Sequence, residues 1–169
     1  MAARYAKIAM VLSLAVFAFL VAFTNVTDPS GNMPFVQHVL SMDTTFRAPA
    51  TAYRAIHLPS VQRLAFGLIV AGEALTCLLF ALAGLRMLAA RNAPAQAFNR
   101  SKGLVHVAAL AGFLVWFLGF MAVGGEWFLM WQSPTWNGQE PAFRFYVTIL
   151  LVLLYVTRDD AELIQSPRN

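Results

Sequence analysis

LAFGLIVAGEALTCLLFALAGL, residues 64 to 85, lies between Arg63 and Arg86 and carries one charge, Glu73, at its centre. As an α-helix these 22 residues extend about 33 Å, enough to cross a bilayer's hydrocarbon core of about 30 Å. The segment therefore predicts a membrane span over 63–86, and the rest of the chain can be read outward from it.

On the N-terminal side, residues 8 to 27 read IAMVLSLAVFAFLVAFTNVT, without a charge. Arg4 and Lys7 before them resemble the basic start of a secretory signal, but the apolar run is longer than a signal core and no A-x-A-like site precedes Asn25, so a retained span is expected. On the C-terminal side, 103–125 is uncharged and long enough to cross with some tilt. A fourth span, over 142–158, is tighter. Only 13 residues separate Arg144 from Arg158, about 20 Å of helix, so both guanidinium groups must reach toward the headgroups. The expected fold is all-α: a single membrane domain over 1–169, built as a four-helix antiparallel bundle with an extracytoplasmic cap made by the connections 28–62 and 126–141.

Composition agrees. The apolar share is 59% and the charged share 12%, against about 45–50% and about 25% in soluble domains. The net charge of +4 does not point to nucleic acid, because the basic residues are scattered rather than gathered into a stripe. They report orientation instead. Arg4, Lys7, Arg86, Arg91, Arg100, Lys102, Arg158 and Arg168 fall on one side and Arg47, Arg54, Arg63 and Arg144 on the other. That bias favours cytoplasmic N and C termini in a bacterial inner membrane. Within the long connection, PFVQHVLSM spaces Phe35, Val36, Val39 and Leu40 as a short surface helix after Pro34, with Asp43 just beyond.

Glu73 is the strongest anomaly. Counted from Arg63 it is about 15 Å deep, where an ionised carboxylate is costly, so it is expected to be protonated or paired and turned inward. Thr76 and Cys77 follow on the same face, and Trp116, at similar depth on the third helix, could donate its indole N–H to the carboxyl. No chain of polar residues is legible above or below it. Two readings stay open: an interhelical hydrogen bond that glues the bundle, or an anchor for a proton, an ion or a ligand such as a quinone.

The single cysteine, Cys77, excludes a CxxC pair and a thiolate zinc site, and with them a quinone-linked thiol oxidase of the four-helix type. A bis-histidine haem needs two histidines at one depth, whereas only His106 lies in a span. At the cap, His38, Asp43, His57, Glu126 and Glu140 could converge with Trp127, Trp131 and Trp136. A ligand or metal site there competes with an ordinary aromatic belt, and no ligand spacing supports metal. No cofactor is expected. Gly67 with Ala71, and Ala108 with Gly112 and Gly119, place small residues along helix faces where another helix can approach closely.

Two segments, FVQHVLSMDTTF at 35–46 and GGEWFLMWQSPTWNGQEPAFR at 124–144, resemble a bacterial family of predicted small integral membrane proteins, a four-helix domain of unknown function. The resemblance runs over nearly the whole chain and implies no reaction, ligand or partner. With no nucleophile, base or metal motif, the function expected first is non-enzymatic: an accessory subunit or assembly factor whose partners are the bilayer and other membrane subunits. A small-ligand, quinone or ion carrier comes second, and a membrane enzyme third. A cavity reaching Glu73 would favour the carrier; tight packing within would favour the accessory subunit.

Overall fold

The computed structural model describes residues 1–46 and 49–163; Arg47 and Arg168, two members of the charge balance, lie outside them. Helix α1 (Ala2–Thr27) rises from the terminal end of the molecule, and α2 (Pro29–Ser41) turns across its far end. Helix α3 (Pro59–Ala89) descends, and the short α4 (Ala95–Ser101) leads into α5 (Gly103–Phe113). The third span then continues as a π-helix over Leu114–Trp127, and α6 (Gln139–Val156) closes the bundle. Among the described residues four helical stretches have the length and apolarity to cross a membrane, and the bundle they form is antiparallel. The all-α membrane architecture expected from sequence is the one observed.

Apolar side chains face both ways, as they must when lipid is the solvent. Phe80, Ala83 and Met87 of α3 pack in one core with Val11, Phe98, Val105 and Val156, while Leu64, Leu68, Leu75 and Leu78 are exposed along the opposite face of α3. With no hydrophobic gain from burying one apolar surface against another in lipid, close approach through small residues holds the helices together. A Cβ on Gly84 would strike Leu12, and one on Gly112 would lie 2.7 Å from the Ile149 side chain and 3.3 Å from that of Thr76.

One expectation needs correction. The capping helix begins at Pro29 rather than after Pro34. Proline suits the first turn, whose N–H groups have no helical partner, and Pro34 is then carried inside the helix. Helix α3 starts before Arg63 and outruns α1 at the capped end, so Leu12 lies opposite Gly84 and Asn25 opposite Glu73. Glu73 is thus level with the last turn of α1, not with its middle.

The ends differ in construction. At the capped end, Val39, Phe128 and Met130 form a second small core with Phe35, Leu40 and Trp136 packed on it. Thr44 donates to Ser133 Oγ at 2.8 Å, and the Phe46 N–H to Gln132 at 3.0 Å. At the terminal end, three of the basic residues that sequence reads as orientation markers, Arg4, Lys7 and Lys102, are buried. Arg4 donates to the carbonyls of Arg91, Ala93 and Ala161. Lys7 and Lys102 both reach Asp160 Oδ2, at 2.7 and 2.6 Å, and both bond the Arg158 carbonyl.

Candidate functional site

Glu73 is 2% exposed, turned into the bundle as expected. Its donor is not the Trp116 indole but Asn25, whose Nδ2 lies 2.8 Å from Glu73 Oε2. Asn25 is itself buried, and its Oδ1 accepts from Asn32 Nδ2 at 2.7 Å. Asn32 stands exposed at the start of α2. A polar chain of three side chains therefore runs from the capped surface to the buried carboxyl, where sequence reading finds none. It ends there: Thr76, beyond Glu73, spends its hydroxyl on the Gly72 carbonyl at 2.8 Å, and Cys77 packs against the apolar core.

Glu73 forms the floor of a cavity of about 370 Å³ enclosed by α1, α2, α3, the π-helix, α6 and the segment 135–138. Asn25 and Asn32 lie on its wall, and Trp116, Phe120, Trp136 and Phe145 give it aromatic sides. Trp116 is fixed from behind by Phe17 and Phe145, each with its ring centroid 5.7 Å away. Among the described residues, neither Glu73 Oε1 nor the Trp116 N–H makes a hydrogen bond, and no side-chain polar atom is sealed from solvent without one. Both atoms are thus uncommitted and open to the cavity.

The third span supplies two of those walls from its π-helical part, whose hydrogen bonds run i to i+5; residues four apart lie on one face there as they do in an α-helix. Trp116 and Phe120 share that face over 14 residues of π-helical chain. Such geometry occurs elsewhere mostly as single turns and is frequent at functional sites.

The charged group expected at the cap assembles only in part. His38 Nδ1 lies 2.8 Å from Asp43, and the ring stacks on Trp136 with centroids 4.7 Å apart and planes 10° from parallel. Trp127 is covered instead by the Arg54 guanidinium, 4.8 Å from its centroid. Trp131 meets Phe46 edge-on, and Glu140 pairs with Arg144. His57 and Glu126 stand exposed. Among the described residues no three histidine, cysteine or acidic side chains come close enough to hold a metal ion.

Residues 3–159 match the family described as predicted small integral membrane protein (DUF2165). The chain belongs to this family. No curated protein and no solved structure matches it. The two segments that carry the resemblance meet at the capped end: Phe35, from the first, and Trp136, from the second, share the wall of the Glu73 cavity.

Sequence reasoning passes over Asn25 and Asn32. Asn25 closes an apolar run without a charge beside it, and its partner on α3 reveals its role. The usable signal is a second polar side chain at the end of an apolar span, in a bundle with one buried carboxyl to satisfy.

Proposed function

We propose that this protein binds a small ligand within the membrane, in the cavity between α2 and Glu73, with Glu73 as its polar anchor. The observation that carries the reading is the cavity itself. A carboxyl acting only as glue would be packed over, whereas Glu73 keeps one oxygen free in a cavity that Trp116, with its free N–H, also lines. Asn25 holds the other oxygen and so fixes the direction in which the free one points. The role is non-enzymatic, a binder or carrier, for which one oriented carboxyl and an indole donor suffice. The excess of basic residues on the terminal side supports cytoplasmic termini, with the cavity then on the outer half of a bacterial inner membrane.

The second reading is an accessory subunit or assembly factor for a larger membrane complex. It is favoured by Gly67 and Ala71, which lie exposed on the lipid-facing side of α3, with nothing within 4 Å of a Cβ on Gly67. A partner helix could approach there as closely as α1 does at Gly84.

The two part on a gentle-detergent purification of tagged wild type beside Glu73→Gln, followed by mass spectrometry of proteins and small molecules. A small molecule that accompanies the wild type and is lost in the variant supports the ligand reading. A stoichiometric protein retained by both, without a small molecule, supports the accessory subunit and sinks the ligand reading.

A further inference from the structure

On the far side of Phe35, Val36, Ile69 and Phe120 from the Glu73 cavity, a groove opens between α3 and the third span. Its upper part holds about 430 Å³ and its lower part about 440 Å³, and the two share Leu68, Ile69, Leu114 and Gly119. Only apolar side chains and glycine line it. Along α3 it runs from Val61 to Leu79, about 27 Å at the helical rise, whereas one leaflet of hydrocarbon is about 15 Å deep.

We propose that this groove takes the tail of an isoprenoid amphiphile whose ring lies in the Glu73 cavity, an isoprenoid quinone by chemical class. The inference rests on the reading of that cavity as a ligand site and names its ligand. Three observations select the class. The groove is too long for an acyl chain confined to one leaflet, so a longer tail fits it. The cavity is walled by aromatic rings, which suit a flat ring. Among the described residues its one charged side chain is Glu73, and no lysine or arginine of theirs stands on the wall to meet a phosphate. A phospholipid headgroup is therefore unmatched, while a ring carbonyl can accept from the Trp116 N–H and a hydroxyl can meet Glu73. Cavity and groove are separated by one layer of side chains, in which Phe35 of the capping helix stacks on Phe120 with centroids 5.9 Å apart. Rotation of Phe35 joins the two spaces.

The test uses wild type, Gly119→Leu and Glu73→Gln, each in bilayer discs of synthetic phospholipid. A Cβ at Gly119 meets the Leu114 carbonyl at 3.8 Å, an ordinary contact, and Gly119 lines both parts of the groove, so leucine there takes up groove volume. Two radiolabelled probes are titrated in a proximity assay: a benzoquinone with a long isoprenoid tail, and the same ring with methyl in place of the tail. Partition into lipid is common to all three proteins, so the comparison is between proteins. Gly119→Leu should weaken the tailed probe roughly tenfold, because the tail loses its close packing in the groove and stays in the lipid, and leave the tail-less ring unchanged. Glu73→Gln should weaken both.

Equal affinity of the tailed probe for wild type and folded Gly119→Leu overturns the inference. The cavity reading then survives if the tail-less ring still binds and is lost in Glu73→Gln. Co-purifying phospholipid that Gly119→Leu expels and the tailed probe does not displace also overturns it, as does a folded wild type that binds neither probe. Should Gly119→Leu fail to fold, Leu68→Trp at an exposed position common to both parts of the groove gives the same comparison.

Discussion

Asn25 Nδ2 lies 2.8 Å from Glu73 Oε2, tying the last turn of α1 to α3 by a hydrogen bond between two buried side chains. In a double-mutant cycle of Asn25→Ala and Glu73→Ala, scored by unfolding in mixed detergent, a coupling of about 1 kcal/mol is expected. Strict additivity of the two substitutions would remove the bond from the account of stability.

The close approach of α1 and α3 at Gly84 gives a steric prediction. Gly84→Val drives a side chain into Leu12 and should cost about 1–3 kcal/mol as overpacking. Gly103→Ala, where an added Cβ meets nothing within 4 Å, should be neutral or slightly stabilising. Melting temperatures of the two variants, measured side by side, decide it, and equal values would contradict the packing described.

Asp160 gives the pH dependence. Burial alone raises its pKa, but hydrogen bonds from Lys102 and Lys7, with their positive charges, outweigh burial and hold the carboxyl below the ordinary aspartate value. A depressed folded-state pKa gives stability that is complete above the unfolded value of about 3.9 and is lost as pH falls through the folded value. Asp160→Asn strips two buried ammonium groups of their counter-ion and should cost about 3 kcal/mol at pH 7. That gap should hold at pH 5 and shrink below about pH 4. A gap constant to pH 2 would show that the carboxylate charge is not what matters.

Orientation is tested by alkaline phosphatase fusions after Gly31 and after Asn92. The charge bias predicts activity at the first and none at the second. The reverse pattern would put the Glu73 cavity on the cytoplasmic side.

Four spans are legible in the sequence because hydrophobicity and length suffice to find a membrane helix, and Glu73 stands out because a charge in such a run is costly. What the sequence does not disclose is register. Which residue of α1 faces Glu73 depends on how far α3 outruns α1, and that is set by the cap, not by either helix. Hence Asn25 passes unremarked and Trp116 is credited with its bond. The π-helix is hidden for a related reason. Residues 114–127 have the composition of any apolar span, and nothing in their residue pattern marks the change from i to i+4 to i to i+5 pairing. The cap is half legible: His38 and Trp136 do meet, while Glu126 and His57 turn away.

The buried charges at the terminal end have a temporal meaning. During synthesis Lys7 and Lys102 leave the ribosome well before Asp160, the acid among the described residues that neutralises them, and Arg4 waits for the carbonyl of Ala161. Until residues 158–161 are delivered, the first helix has two cationic side chains without their full set of partners and every reason to keep them at the water's edge. The segment that follows the fourth span is therefore the latch that ties the terminal end of the bundle together.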